Sequence, residues 1–245
     1  MKNITVKLFT LGLSAVLLVC GLTACKIDKD ININVSATIE TKINEAASQT
    51  IRTGSWEIAG STEVTADLEK IFNDAASQLD GYYYIPVALL GTQVVSGTNY
   101  CFLSKPTIIS NSAMNSLILT YIYVDTQGNA KFLSDERIVL PGTEAESSGD
   151  MMVGGWSYAS NTEITPEITE VMTKASETLT GAVYEPIAYV GSQVVAGTNH
   201  AILCRVSPST SGLSSPSTLA VVYIYENRDG SCEITEVSDI ELSAD

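Results

Sequence analysis

Apolar side chains return at helical spacing twice along this chain. Val64, Leu68, Ile71, Phe72, Ala75 and Leu79 form one set, and Ile168, Val171, Met172, Ala175 and Leu179 the other. Thr165 is a good N-cap, and Pro166 follows in the first helical position, where its missing N–H costs nothing. Gly81 and Gly181 stand where a glycine would stop each helix. Beyond each helix the period changes to runs rich in β-branched and aromatic residues, separated by turn residues. Residues 82–95 and 100–109 are predicted strands joined through a Ser-Gly-Thr-Asn turn, and 117–125 and 131–140 form a second hairpin closing over 126–129. Residues 184–195, 200–206, 219–226 and 232–242 repeat the scheme. Pro86 and Pro186, inside the first long strand, point to a bulge or an edge. A short extended stretch around Trp56 or Trp156 is expected to supply a fifth strand. The pattern predicts an α+β fold, with one helix packed across a four- to five-stranded antiparallel sheet in each half.

The halves are copies. Trp56 and Trp156 each stand two residues after a glycine, Gly54 and Gly154, and the same offset carries Pro86 to Pro186 and Gly91 to Gly191. It also carries Gln93-Val94-Val95-Ser96-Gly97-Thr98-Asn99 onto Gln193-Val194-Val195-Ala196-Gly197-Thr198-Asn199. Tyr121-Ile122-Tyr123 matches Tyr223-Ile224-Tyr225 after a two-residue length change. Two copies of this size suit two small domains better than a solenoid. The expected boundaries are 51–140 and 153–245, with a turn-rich, acidic linker over 141–152.

The first residues carry a separate message. Lys2 and Lys7 precede an apolar stretch, 8–19, too short for a transmembrane helix, and Leu22-Thr23-Ala24-Cys25 follows at once. Residues 1–24 read as a secretory signal. The four residues resemble the lipobox of bacterial lipoproteins, which implies cleavage before Cys25 and acyl chains on it. Residues 25–50 are expected to tether a folded head to the cell envelope, outside the cytoplasm. Losing Lys2 and Lys7, and no acid, moves the net charge from -15 to -17. Such a surface disfavours nucleic acid. Without Cys20 and Cys25, the odd set Cys101, Cys204 and Cys232 fits neither a zinc site nor a full disulfide framework. Structural thiols are expected, with a Cys204–Cys232 bridge open but not favoured. His200, the one histidine, stands where the other copy has Tyr100, so packing is its expected role. No nucleophile, base and metal cluster combine into an enzyme site, and no cofactor or metal is expected.

If the stretch before each helix pairs antiparallel with the first long strand, three segments share one end of the sheet. These are the region of Gly54 and the turns at 93–97 and 126–129. Both heptapeptides match the Gln-x-Val-x-Gly signature of cystatins, reversible inhibitors of papain-like cysteine proteases. The second copy is similar to the stefin branch, with Met152-Val153-Gly154-Gly155 ahead of Thr165-Pro166-Glu167-Ile168. The resemblance covers about 54–140 and 154–242 and implies two tandem cystatin-like domains, each inserting a wedge non-covalently into a protease cleft. Val94, Val95, Val194 and Val195 would supply apolar surface. Gly97 and Gly197, with Ser96 and Ala196 in the same turns, would allow close approach. Gln93 and Gln193 would brace the turn or bond across the rim. Gly54, Gly154 and Gly155 would let the first strand bend away from the attacking thiolate. The second turns depart from the family, with Gly128-Asn129 and Asp229-Gly230 where many cystatins have Pro-Trp. Gly54 is followed by serine rather than a second glycine. The competing reading is a non-inhibitory module that binds an envelope protein or a carbohydrate.

Overall fold

The computed structural model describes residues 54–79, 83–107, 116–143, 154–177, 179–209 and 216–244. The expected signal, Cys25 and the tether lie outside these residues, as do Gly81, Tyr82, Met152, Val153 and most of the expected linker. The first repeat contributes β1 (Trp56–Ile58), α1 (Ala66–Ala76), β2 (Tyr83–Val94), β3 (Gly97–Thr107), β4 (Leu117–Asp125) and β5 (Ala130–Ile138). The second contributes β6 (Trp156–Tyr158), α2 (Pro166–Ser176), β7 (Ala182–Val194), β8 (Thr198–Pro208), β9 (Thr218–Glu226) and β10 (Cys232–Ile240). Each repeat forms one antiparallel five-stranded sheet in sequence order.

Local chemistry sets these elements. Thr65 and Thr165 are extended N-caps whose side chains accept from Leu68 N and Ile168 N, at 3.4 Å in each case. The helices end at Ala76 and Ser176, earlier than the glycine rule predicts. Gly181 has φ +109° and opens the β7–β8 ladder instead, exchanging hydrogen bonds with Ser209. Leu179, expected on the helix face, is exposed beyond it. The ladder shifts register between Pro86 and Ala88 and between Pro186 and Ala188. There each proline belongs to a stretch that the short first strand does not cover, since β1 pairs only with 91–93.

The expectation of two separate helix-on-sheet domains is corrected by the packing. The described residues are mostly strand, with only two helices. One face of each sheet carries its helix: Phe72 and Ala75 pack on Phe102 and Ile122, and Val171, Met172 and Ala175 pack on Ile202, Val222 and Ile224. The opposite faces pack on each other. Leu90, Leu103, Leu119 and Tyr121 share one buried cluster with Val190, Leu203, Val221 and Tyr223. Residues 51–245 make one compact unit. The fold is β-rich, two antiparallel sheets face to face with a helix on each outer surface, rather than a pair of independent α+β domains. A face of this apolar content exposed to water would cost about 1.5–3 kcal/mol per large side chain.

The joint is reciprocal. Arg205 Nη1 donates to Ala59 O and Gly60 O at 2.7 and 2.8 Å, and its counterpart Lys105 Nζ donates to Ser160 O at 2.5 Å. Leu242, beyond β10, lies against Gly91, where an added Cβ would stand 2.7 Å from its Cδ1. Leu140, beyond β5, meets Gly191 at the same distance. Ser243 N donates to Tyr121 OH, and Tyr158 OH donates to Ile138 O. Each repeat thus closes the core of the other.

Candidate functional site

Register brings the three segments of each repeat to one end of its sheet. Trp56 pairs with Gln93, so β1 begins beside the end of β2, and Gly54 N donates to Val94 O at 2.9 Å. Gly97 pairs with Asp125, which places the Val95-Ser96 turn next to the turn over 126–129. In the second repeat Trp156 pairs with Gln193 and Thr198 with Glu226, giving the same row of Gly154, Val195-Ala196 and 227–231. Each row forms a rim at the end of its sheet.

The signature residues divide into those that build the rim and those that face outward. Gln93 Nε2 donates to Gly54 O at 3.0 Å, while its Oε1 accepts from Asn99 Nδ2 at 2.6 Å. Gln193 repeats both bonds, to Gly154 O at 2.7 Å and from Asn199 Nδ2 at 2.6 Å. One glutamine therefore ties the first strand, the first hairpin and its return strand together. Gly97 and Gly197 also answer a demand inside the sheet, apart from any partner. A Cβ on Gly97 would overlap Val124 O and stand 2.7 Å from the Tyr123 ring. On Gly197 it would overlap Glu226 O and stand 3.0 Å from Tyr225. Thr98 and Asn99 belong to the strand, not to the turn, which is only two residues long. Gly54 and Gly154 have φ of +88° and +81° with open space around them, so the chain bends there in a conformation that glycine favours.

What faces outward is apolar. Val94, Val95, Val194 and Val195 are exposed at the tips, Val194 most of all at 72% against 39% for Val94. Ser96 and Ala196 are exposed beside them, and Gly155 is half-buried behind Gly154. The second turns are polar and self-contained. Asp125 accepts from Gln127 N, Asn129 N and Asn129 Nδ2 at 2.8–2.9 Å, and the Asn129 amide above all holds its carboxyl below the usual range. Asp229 is likewise held down by Ser231, chiefly its hydroxyl. Gly128 and Gly230 both take positive φ in these turns.

A polar chain beneath the second rim escaped the sequence reading. His200 Nδ1 lies 2.9 Å from Tyr189 OH and its Nε2 3.1 Å from Glu226 Oε2, with the side chain 9% exposed. The first repeat has Leu89, Tyr100 and Val124 at those places. The signal was the joint replacement of three residues on neighbouring strands, invisible until pairing is known. The tryptophans anchor the core side of each rim, Trp56 edge-on to Tyr121 at 5.6 Å and Trp156 to Tyr223 at 5.4 Å.

The thiols are free: Cys101 and Cys204 are buried and Cys232 is half-buried. Burial pushes the Cys204 thiol up to about 12. Among the described residues no helix is long and apolar enough to cross a membrane, and no cluster of metal-binding side chains forms. Comparison of the chain with protein-family models and with curated proteins found no match to either.

Proposed function

We propose that the protein is a reversible, non-covalent inhibitor of papain-like cysteine proteases, held at the outer face of a bacterial envelope by lipid on Cys25. The observation that carries this reading is the rim. Two exposed valines, one ending the strand and one opening the turn, stand at a short turn braced on both sides, and a bent strand start and a polar turn flank them. Such a row is narrow, apolar at its centre and held by backbone ladders, as a wedge for a protease cleft needs to be. It inhibits by occupation: the valines cover the groove walls, and the bend at Gly54 or Gly154 keeps the peptide bonds off line from the thiolate. Side-chain ordering costs little, since valine has one rotatable bond.

A second reading, binding without inhibition, is favoured by one observation. Gly97 and Gly197 are accounted for by packing inside the sheet, so the glycine of the signature does not by itself call for a partner.

Titration of papain with the chain from residue 26 onward separates the two. Inhibition at micromolar protein is expected, and it should fall at least tenfold for the rim carrying Val94→Glu with Val95→Glu, or Val194→Glu with Val195→Glu. These positions are exposed, so folding should survive, which an unchanged melting curve checks. Gly97→Glu is unsuitable, because it would break the turn itself. Full protease activity against the parent chain would overturn inhibition and leave the binding reading.

A further inference from the structure

The two rims point away from each other. The tail after β10 leaves the end of the second sheet farthest from its own rim, because Ile240 pairs with Leu219 while Cys232 pairs with Glu226. That tail lands on Gly91 and Tyr121, close to the first rim. Reciprocally, Leu140 leaves the far end of the first sheet and lands on Gly191, close to the second rim. Each sheet therefore overlaps the other tail to head, and each rim projects about four residues, roughly 13 Å, past the body of its neighbour. Summing the strand lengths along the overlap puts the tips on the order of 40–50 Å apart. A globular partner of about 200 residues has a radius of gyration near 16 Å, so two such bodies fit at opposite ends without touching.

We infer that one chain holds two partner molecules at the same time, one on each rim, with the second rim the tighter. This rests on the reading of the rims as protease-binding wedges. The rims share the glutamine brace and the bend, so both are built to dock. They differ in what they offer: Val194 exposes nearly twice the fraction of its surface that Val94 does, and Gly154 is followed by Gly155 where Gly54 is followed by Ser55. More apolar area at the tip favours tighter binding. Neither site shares residues with the other, so binding should show no competition.

A sandwich experiment tests this with papain as the probe. Papain blocked at its active-site thiol by a small alkylating group is immobilised, the chain from residue 26 is captured, and free papain is then applied. A second layer of papain is expected on the captured chain. Val94→Glu with Val95→Glu should keep capture but lose the second layer, and Val194→Glu with Val195→Glu should also weaken capture at least tenfold. Capture without a second layer, with both rims intact, would overturn simultaneous binding while sparing the wedge reading. Equal affinity of the two single-rim variants would overturn the ranking. Failure of capture, together with failure to inhibit unblocked papain, would overturn the protease reading itself.

Discussion

Gly97 and Gly197 are the positions where one atom matters most. Each stands where the return strand presses on the carbonyl and tyrosine ring of its neighbour, so a methyl group has nowhere to go without moving backbone. Gly97→Ala and Gly197→Ala should each cost about 1–3 kcal/mol, as overpacked sites do. Val95→Ser, two residues away but exposed, should stay within about 0.5 kcal/mol of the parent. Urea midpoints measured side by side check the contrast. The thiols offer a second test. Cys101 and Cys204 are sealed in the core and Cys232 is half-buried, so a maleimide reagent should label one thiol per folded chain from residue 26 and three after unfolding. Burial raises Cys204 from its ordinary value of 9.0 to about 12. The folded state then keeps its proton where the unfolded state has lost it, so stability is intact below pH 9 and falls as pH rises towards 12. Cys204→Val should lessen that alkaline loss in melting temperature, while Cys101 and Tyr121, also raised by burial, keep their share.

At the scale of the element, the glutamine brace explains why Gln and Asn recur at the same two places of the heptapeptide, whose one difference is Ser96 against Ala196. Gln93 and Asn99 face each other across the hairpin and share a hydrogen bond, and the Gln93 amide also holds the chain at Gly54, just before β1. Gln93→Ala should lose about 1–2 kcal/mol, and the double change with Asn99→Ala should cost less than the two single changes added, since they share a bond. The strands were legible because alternation and turn residues mark them, and the irregularity at Pro86 and Pro186 because proline cannot donate to a ladder; the shifts at Leu89/Gly91 and Tyr189/Gly191 carry no such mark. The turn was misplaced by two residues, because Gly-Thr-Asn has turn composition although Thr98 and Asn99 sit in the ladder. The end of α2 was misplaced because Gly181 serves a strand start instead of a helix cap. The three-segment rim followed from strand order and was legible; the inward reason for its glycines was not, as it depends on Val124 and Glu226 across the sheet.

For the whole molecule, the shared core is what the copy-by-copy reading overlooked. Its trace was present in 117–124 and 219–224, where nearly every residue is apolar, a sign that both faces of those strands are covered. One helix covers one face; the repeat partner covers the other. Unfolding should therefore be a single cooperative transition. Leu103→Ala in the first repeat and Leu203→Ala in the second, each costing about 2–5 kcal/mol, should lower the same calorimetric peak rather than split it. The tail-to-head overlap that produces this core also sends the rims to opposite ends, so stability and the arrangement of the docking surfaces have one origin. The most direct test is a distance. Spin labels on Val95→Cys and Val195→Cys, in a chain carrying Cys232→Ser with the two core thiols left buried, are predicted to lie on the order of 40–50 Å apart by pulsed electron resonance. A narrow distribution below about 25 Å would put both rims on one side and contradict the account.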